Sequence, residues 1–242
     1  YVIQTFGKEA VATRGLVITY DVRHNSARFA DIAASIFAAH GARVFVYTGV
    51  RSTPQLSFSI RHLNAIAGVM ISASHNPPTD NGIKVYWQHG GQVVPPHDAR
   101  IIDVVSRVED IRTMDLAEAK QQGLIVDIGK EVDDAYASAV GALSLSPHRD
   151  ISIIFTPMHG CASTSFLPVL RHVGFTHMQE VTEHMPLDPD FSSLPNHVPN
   201  PEVRESLALA LTYAKESHAD VVVASDPDAD RIGVISKSSI QS

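Results

Sequence analysis

The sequence predicts an α/β protein of two consecutive domains, each built on a mixed, largely parallel sheet flanked by helices. Three observations lead there. Short apolar runs at residues 16–20, 43–47 and 68–71 alternate with amphipathic stretches, the rhythm of strands joined by crossover helices. The polar, proline-bearing break Ser146-Pro147-His148-Arg149-Asp150 interrupts that rhythm before a buried strand at 151–155 restarts it. The boundary is placed there, giving domains 1–147 and 148–242. Each half also ends a buried strand in a loop dense with polar groups, which is where open α/β sheets receive ligands.

Taken in order, residues 1–13 have apolar side chains at helical spacing and read as one helix already under way. A strand at 16–20 ends at Asp21-Val22-Arg23-His24-Asn25-Ser26, and an amphipathic helix over 27–40 is closed by Gly41. After the strand at 43–47, Thr53-Pro54 opens a helix to residue 64, with Thr53 as N-cap and Pro54 at the first helical position. The strand at 68–71 and its loop follow, then a strand at 83–87 that turns at Gln88-His89-Gly90-Gly91-Gln92. Helices over 96–108 and 133–143 complete the first half. In the second half, the strand at 151–155 runs into Thr156-Pro157-Met158-His159-Gly160 and a helix over 163–173. Residues 187–201 are proline-rich and without period, a helix runs from there to 216, and strands occupy 221–225 and 232–236.

Composition excludes several function classes. With 44% hydrophobic residues the chain can bury real cores. A formal charge of -7, with basic residues scattered singly, gives no stripe for nucleic acid or an anionic membrane. No apolar run approaches a membrane span, and no signal peptide heads the chain. A single cysteine, Cys161, excludes an internal disulfide and suits a reducing cytoplasm, so a cytoplasmic location is expected. Nothing beside Cys161 marks a thiolate site, so it reads as a small core residue. The thirteen histidines lack the paired spacing of zinc sites.

Two loops carry the chemistry. Ser72-Ala73-Ser74-His75-Asn76-Pro77-Pro78-Thr79-Asp80-Asn81-Gly82 is a cluster of turn residues stiffened by two prolines. It holds a hydroxyl (Ser74) beside an imidazole (His75), with the ammonium of Lys84 just beyond, the surround a nucleophile needs for handling anions. Downstream, the strand at 221–225 runs into Asp226-Pro227-Asp228-Ala229-Asp230-Arg231. Three alternating carboxylates can point at one hard cation, and Arg231 can clamp a phosphate. The spacing alone leaves calcium open, although the Gly and distal Glu of an EF-hand are absent. The loops at 21–26 and 72–81 both end strands of the first sheet and are expected to be neighbours in space.

Together these strings resemble the α-D-phosphohexomutases, the phosphoglucomutase and phosphomannomutase superfamily. The serine loop is similar at Ser72-Ala73-Ser74-His75-Asn76-Pro77, the metal loop at Asp226-x-Asp228-x-Asp230-Arg231, and the turn Thr156-Pro157-Met158-His159-Gly160 is similar to the opening of that family's second domain. Pro227 stands where the family usually has Gly, which resembles the branch that includes phosphoglucomutase-2 and phosphopentomutase and leans toward glucose or pentose phosphate. The resemblance implies that Ser74 carries a phosphoryl group between hydroxyls of a sugar phosphate, by way of a sugar 1,6-bisphosphate. It implies one Mg²⁺ held by Asp226, Asp228, Asp230 and a phosphoserine oxygen on Ser74. Lys84 corresponds to the family's lysine, a general base if neighbouring positive charge depresses its pKa, or otherwise a phosphate neutraliser. Arg23, Arg231 and Asn76 are placed near phosphate or substrate, His75 contacts the phosphoserine or substrate or else fixes the loop, and His159 braces its turn or takes part in catalysis.

The resemblance covers only the first two of four domains. It implies a piece lacking the C-terminal domains III and IV, with their sugar-recognition loop and phosphate clamp, able to hold phosphate and Mg²⁺ while turning over poorly. Two alternatives stand beside the mutase reading: a non-catalytic Mg-binding protein reusing the fold, and a Mg-dependent phosphatase with an aspartyl nucleophile.

Overall fold

A computed structural model describes residues 1–240. Its first sheet holds β1 (Leu16–Tyr20), β2 (Val44–Tyr47), β3 (Ala67–Ile71), β4 (Ile83–Trp87) and β5 (Ile125–Ile128) in the order β4-β3-β1-β2-β5, parallel except for β4. Alternate residues of the central strands serve opposite faces. Leu16, Ile18, Val44, Val46, Val69 and Ile71 pack under Ala30, Ala34 and Ala38 of α3 (Ser26–Ala39). Val17, Phe45, Tyr47 and Met70 pack against Leu56 and Ile60 of α4 (Thr53–His62) and Val132 of α7 (Lys130–Gly141). Strands covered on both faces need the near-continuous apolar runs seen in the sequence.

The second sheet has β6 (Ile153–Thr156), β7 (Met178–Glu180), β8 (Val221–Ser225) and β9 (Ile232–Ser236) in the order β7-β6-β8-β9, with only β9 antiparallel. Ile154 and Val222 pack against Ala210 and Ala214 of α9 (Ala208–Glu216) and Ile240 of α10 (Lys237–Ile240). Phe155 packs on the opposite face against Leu167 of α8 (Phe166–His172). The two mixed, largely parallel sheets are those the sequence calls for. Between α7 and β6, residues 142–152 form no helix or strand.

Several boundaries differ from expectation. The helix read over 1–13 is two, α1 (Val2–Phe6) and α2 (Lys8–Thr13), because Gly7 adopts φ 84° and breaks the ladder. The N-cap of α4 is Ser52, whose hydroxyl accepts from the Gln55 amide at 3.3 Å, and Thr53 is the first helical residue. The helix read over 163–173 starts at Phe166, after a 3-10 turn at Cys161–Ser163, since Pro168 has no amide to donate and is tolerated only in a first turn. The amides of Glu202 and Val203 bond to Asn200, so the expected long helix before residue 216 begins as a turn, and a 3-10 segment at Arg204–Leu207 leads into α9. The helix read over 96–108 is α5 (His97–Val105). Not expected from the sequence are α6 (Leu116–Gln121), β5 and β7, elements of three to six residues at the edges of the fold, too short for a period to show.

Candidate active site

The site forms where the C-terminal ends of β1, β3 and β8 meet. Beyond β3 the chain turns sharply, and Ser74 takes φ 54°, a left-handed conformation that a side chain disfavours. Its amide donates to Ser72 Oγ at 2.9 Å. The loop is held from inside by Arg23, whose Nη1 donates to the carbonyls of Pro77 (2.7 Å) and Asp80 (3.1 Å), and whose Nη2 donates to those of Ser74 and Asn76 (2.6 Å each). Asp21, 1% exposed, pairs with the Arg23 guanidinium at 3.2 Å and accepts from the Ser26 hydroxyl. The Asn81 side-chain amide completes the junction by donating to the His24 carbonyl and Ser26 Oγ, so the loops at 21–26 and 72–81 are neighbours.

Arg23 is expected from the sequence to face phosphate, and the geometry gives it another task. It is 2% exposed, and both terminal nitrogens are committed to loop carbonyls. Asn76 likewise spends its side-chain amide on Asp80 at 3.0 Å. His75 Nδ1 lies 3.5 Å from Ser74 Oγ, and burial together with the nearby Arg231 charge lowers its pKa, which favours the neutral imidazole.

The second loop starts at the end of β8. Asp226, Asp228 and Asp230 each offer an oxygen within 4.8 Å of the others. Asp226 Oδ2 accepts from Ser74 Oγ at 2.6 Å, and its Oδ1 accepts from the Arg231 amide at 3.0 Å. Asp228 is fully buried, and its Oδ2 accepts from Thr53 Oγ1 and from Lys84 Nζ, both at 2.6 Å. Lys84 also reaches Asp230 Oδ2 at 2.9 Å.

Crowding these carboxylates has electrostatic consequences. Burial and the adjacent Asp228 push the Asp226 carboxyl well above the usual carboxylate range. Burial alone would lower the Lys84 pKa, but Asp228 and Asp230 more than offset it and raise the value. The depressed pKa that a general base needs is therefore not what this geometry gives, and Lys84 stands here as a cation. The donor set fits a hard divalent cation: three carboxylates converge, and Asp228 Oδ1 is buried with no hydrogen-bond partner among the described residues. An orphaned buried carboxylate oxygen is costly unless something satisfies it.

Arg231 splits its contacts. Its amide fixes Asp226, while its guanidinium pairs at 3.0 Å with Glu202 on the exposed rim. Beneath the aspartate loop, His159 bonds to the Pro186 carbonyl (2.8 Å) and Ser193 Oγ (2.6 Å), the bracing alternative for that residue. Cys161 is fully buried with its thiol pKa raised by burial, and its amide donates to the Pro227 carbonyl at 2.7 Å, in keeping with a core residue. Two contributors escape a reading of the sequence. Asp21 could be found from its place at the end of β1. Thr53 reads as a helix cap, which hides the use of its hydroxyl on Asp228.

Fold and site together define a two-sheet α/β protein in which a serine hydroxyl from one sheet faces a carboxylate triad from the other. The family model described as phosphoglucomutase/phosphomannomutase, alpha/beta/alpha domain I, matches residues 2–112, and that for domain II matches residues 134–239. The chain belongs to the phosphoglucomutase/phosphomannomutase family. Phosphoglucomutases of Staphylococcus aureus strains MRSA252 and N315 are 36% identical over 221 residues, covering 90% of this chain and 40% of theirs. The chain thus spans about two fifths of the length of the curated relatives it matches. Among solved structures, a protein assigned as a phosphomannomutase from Thermus thermophilus superimposes with a TM-score of 0.79 at 27% identity, over 96% of this chain and 51% of that one. The parafusin phosphoglucomutase of Paramecium shares the fold at a TM-score of 0.69 and 20% identity, over 98% of this chain and 48% of that one. Among the described residues no helix is long and apolar enough to cross a membrane.

Proposed function

We propose that this chain performs the phosphoryl-carrying part of a sugar-phosphate mutase reaction, with Ser74 Oγ as the atom that holds the phosphoryl group. The observation that carries the reading is the 2.6 Å approach of Ser74 Oγ to Asp226 Oδ2, a hydroxyl on a strained turn set against the carboxylate triad. In the forward step a sugar hydroxyl oxygen bonds to phosphorus, the bond from phosphorus to Ser74 Oγ breaks, and the proton lost by the sugar hydroxyl ends on the departing Ser74 Oγ, which restores the serine hydroxyl. The resulting sugar bisphosphate turns round and returns its other phosphoryl group to Ser74. Asp226, Asp228 and Asp230, with a phosphoserine oxygen, would hold Mg²⁺, which neutralises charge on the transferring group. Lys84 adds a second positive charge, and His75 and Arg231 flank the phosphoserine. Such a transfer asks the protein chiefly for positioning and charge neutralisation.

The relatives' name makes glucose phosphate the first substrate to test, with glucose 1,6-bisphosphate as phosphoryl donor. Gripping the sugar and its distal phosphate is assigned to domains III and IV, in the length of the relatives outside the match. These 242 residues alone are expected to hold the phosphoryl group and Mg²⁺ and to turn over slowly. A reducing cytoplasm suits the buried thiol of Cys161.

Intact-mass measurement with peptide mapping, before and after incubation with glucose 1,6-bisphosphate and Mg²⁺, tests the proposal. Phosphate on the Ser74 peptide, absent in Ser74→Ala, is the expected result. An aspartyl phosphatase would keep its label in Ser74→Ala and lose it on aspartate substitution. Label retained in Ser74→Ala overturns the mutase reading, whereas no label at all means that donor binding needs the domains outside the match or that the fold is reused without catalysis, as in a non-catalytic Mg-binding protein.

A further inference from the structure

We propose that Thr53 is a positioning residue for the cation site: its hydroxyl fixes the Asp228 carboxylate so that Oδ1 is the oxygen left for a divalent ion. The inference rests on the cation reading of the aspartate loop given above.

Thr53 belongs to the first sheet's α4, Asp228 to the loop of the second sheet, and the contact has two points. Thr53 Oγ1 donates to Asp228 Oδ2 at 2.6 Å, and the Thr53 amide donates to the Asp228 carbonyl at 2.9 Å. Backbone and side chain of the same aspartate are therefore held from one residue. Helix formation does not require this hydroxyl, because Ser52 supplies the N-cap bond. Nor does solvent compete for it, since Thr53 is 5% exposed and Asp228 fully buried.

The result is an asymmetric carboxylate. Oδ2 has two donors, Thr53 and Lys84, whereas Oδ1 is buried without a partner among the described residues. The two donors differ in kind. Lys84 is a long side chain, partly exposed, that divides its ammonium between Asp228 and Asp230. Thr53 sits at the start of a packed helix, between Ser52 and the buried Leu56, and gives its hydroxyl to Asp228 from a short side chain on a fixed backbone. Groups of this kind, which orient a metal-binding carboxylate without touching the ion, typically govern affinity by ~10–100-fold.

The test is divalent-cation binding by the purified chain, read by electron paramagnetic resonance of free Mn²⁺ and by Mg²⁺ calorimetry, neither of which needs turnover. Thr53→Val, which keeps the shape and loses the donor, is expected to weaken binding by roughly 10–100-fold. Thr53→Ser, which keeps the hydroxyl, is expected to restore it. If Thr53→Val does not fold, Thr53→Ala makes the same comparison. Thr164→Val is the control for loosened packing between the sheets, because Thr164 Oγ1 donates to the Val50 carbonyl at 2.9 Å without contacting Asp228. Unchanged affinity in Thr53→Val overturns the proposal and leaves the cation site standing. An equal loss in Thr164→Val also overturns it, by assigning the effect to domain docking. A wild-type protein that binds neither Mn²⁺ nor Mg²⁺ overturns this inference and the cation reading together.

Discussion

Ser74 Oγ donates a hydrogen bond to Asp226 Oδ2 across 2.6 Å, although 152 residues separate the two in the chain. Neither sheet alone could make this contact. The serine comes from the loop after β3 and the aspartate from the loop after β8, and the packing of the two sheets brings the loops together. A hydroxyl in this place already lies beside the carboxylates that would share a cation with its phosphoryl oxygens. Ser74→Ala should consequently take up no phosphate from glucose 1,6-bisphosphate by mass spectrometry, while its urea midpoint stays close to wild type, within about 1 kcal/mol for one lost hydrogen bond.

Arg23 is expected to act on loop order. Arg23→Lys keeps the charge beside Asp21 but cannot serve four carbonyls with a fork of planar donors. A loss of about 2–4 kcal/mol in urea unfolding is expected, since buried carbonyls lose their partners. Hydrogen exchange should speed up across residues 72–82. Normal exchange in that loop, with phosphate uptake abolished, would return Arg23 to the phosphate-facing role read from the sequence.

Gly160 lies directly under the aspartate loop. A Cβ built there would stand 2.4 Å from Pro227 Cα and 2.6 Å from the Pro227 carbonyl oxygen, and both are backbone atoms that cannot swing aside. Gly160→Ala is expected to cost about 1–3 kcal/mol through overpacking and to displace the loop that carries Asp226 and Asp228. Chemical denaturation and Mn²⁺ titration of the same variant should fall together. A normal Mn²⁺ affinity would mean that the loop tolerates the shift.

His184 gives the fold a pH dependence separate from the site. It is 1% exposed, shares a 2.8 Å hydrogen bond between Nδ1 and Thr156 Oγ1, and has a buried Nε2 without a partner among the described residues. Burial and the neighbouring His159 push its pKa down to about 4. In the unfolded chain a histidine titrates near 6.5. The folded value lies below the unfolded one, so as pH falls from 6.5 toward 4 the unfolded chain binds the proton first. The stability that His184 contributes is complete above pH ~6.5 and lost through that window, by about 3 kcal/mol at most. Urea midpoints should therefore fall more steeply in wild type than in His184→Gln between those values. Parallel profiles would show that His184 is not the titrating group.

Much of this protein can be read from residue order alone. The apolar runs of β1, β2, β3, β6 and β8 are legible because a strand buried on both faces has little room for polar residues. Both chemical loops are legible because turns and ligand sets need particular residue types at fixed local spacing, as in the serine string from Ser72 to Pro77 and the alternating carboxylates of Asp226, Asp228 and Asp230. Edge elements such as β5 and β7 leave no such mark, since so few residues with one side to bury carry little pattern.

Tertiary structure alone decided what each polar side chain is for. Arg23 follows a strand end in sequence as a phosphate ligand would, yet its guanidinium turns inward because the serine loop presents four carbonyls that need donors. Lys84 carries the charge expected of it, but two carboxylates from the other sheet raise its pKa where a base needs it lowered. Thr53 carries every local sign of a helix cap, and a shift of one position passes that duty to Ser52, freeing its hydroxyl for an aspartate 175 residues away. Local sequence dictates backbone conformation through sterics and periodicity. The partner of a hydroxyl, guanidinium or ammonium is set by which loops the packed cores bring within about 3 Å, and no local spacing records that distance.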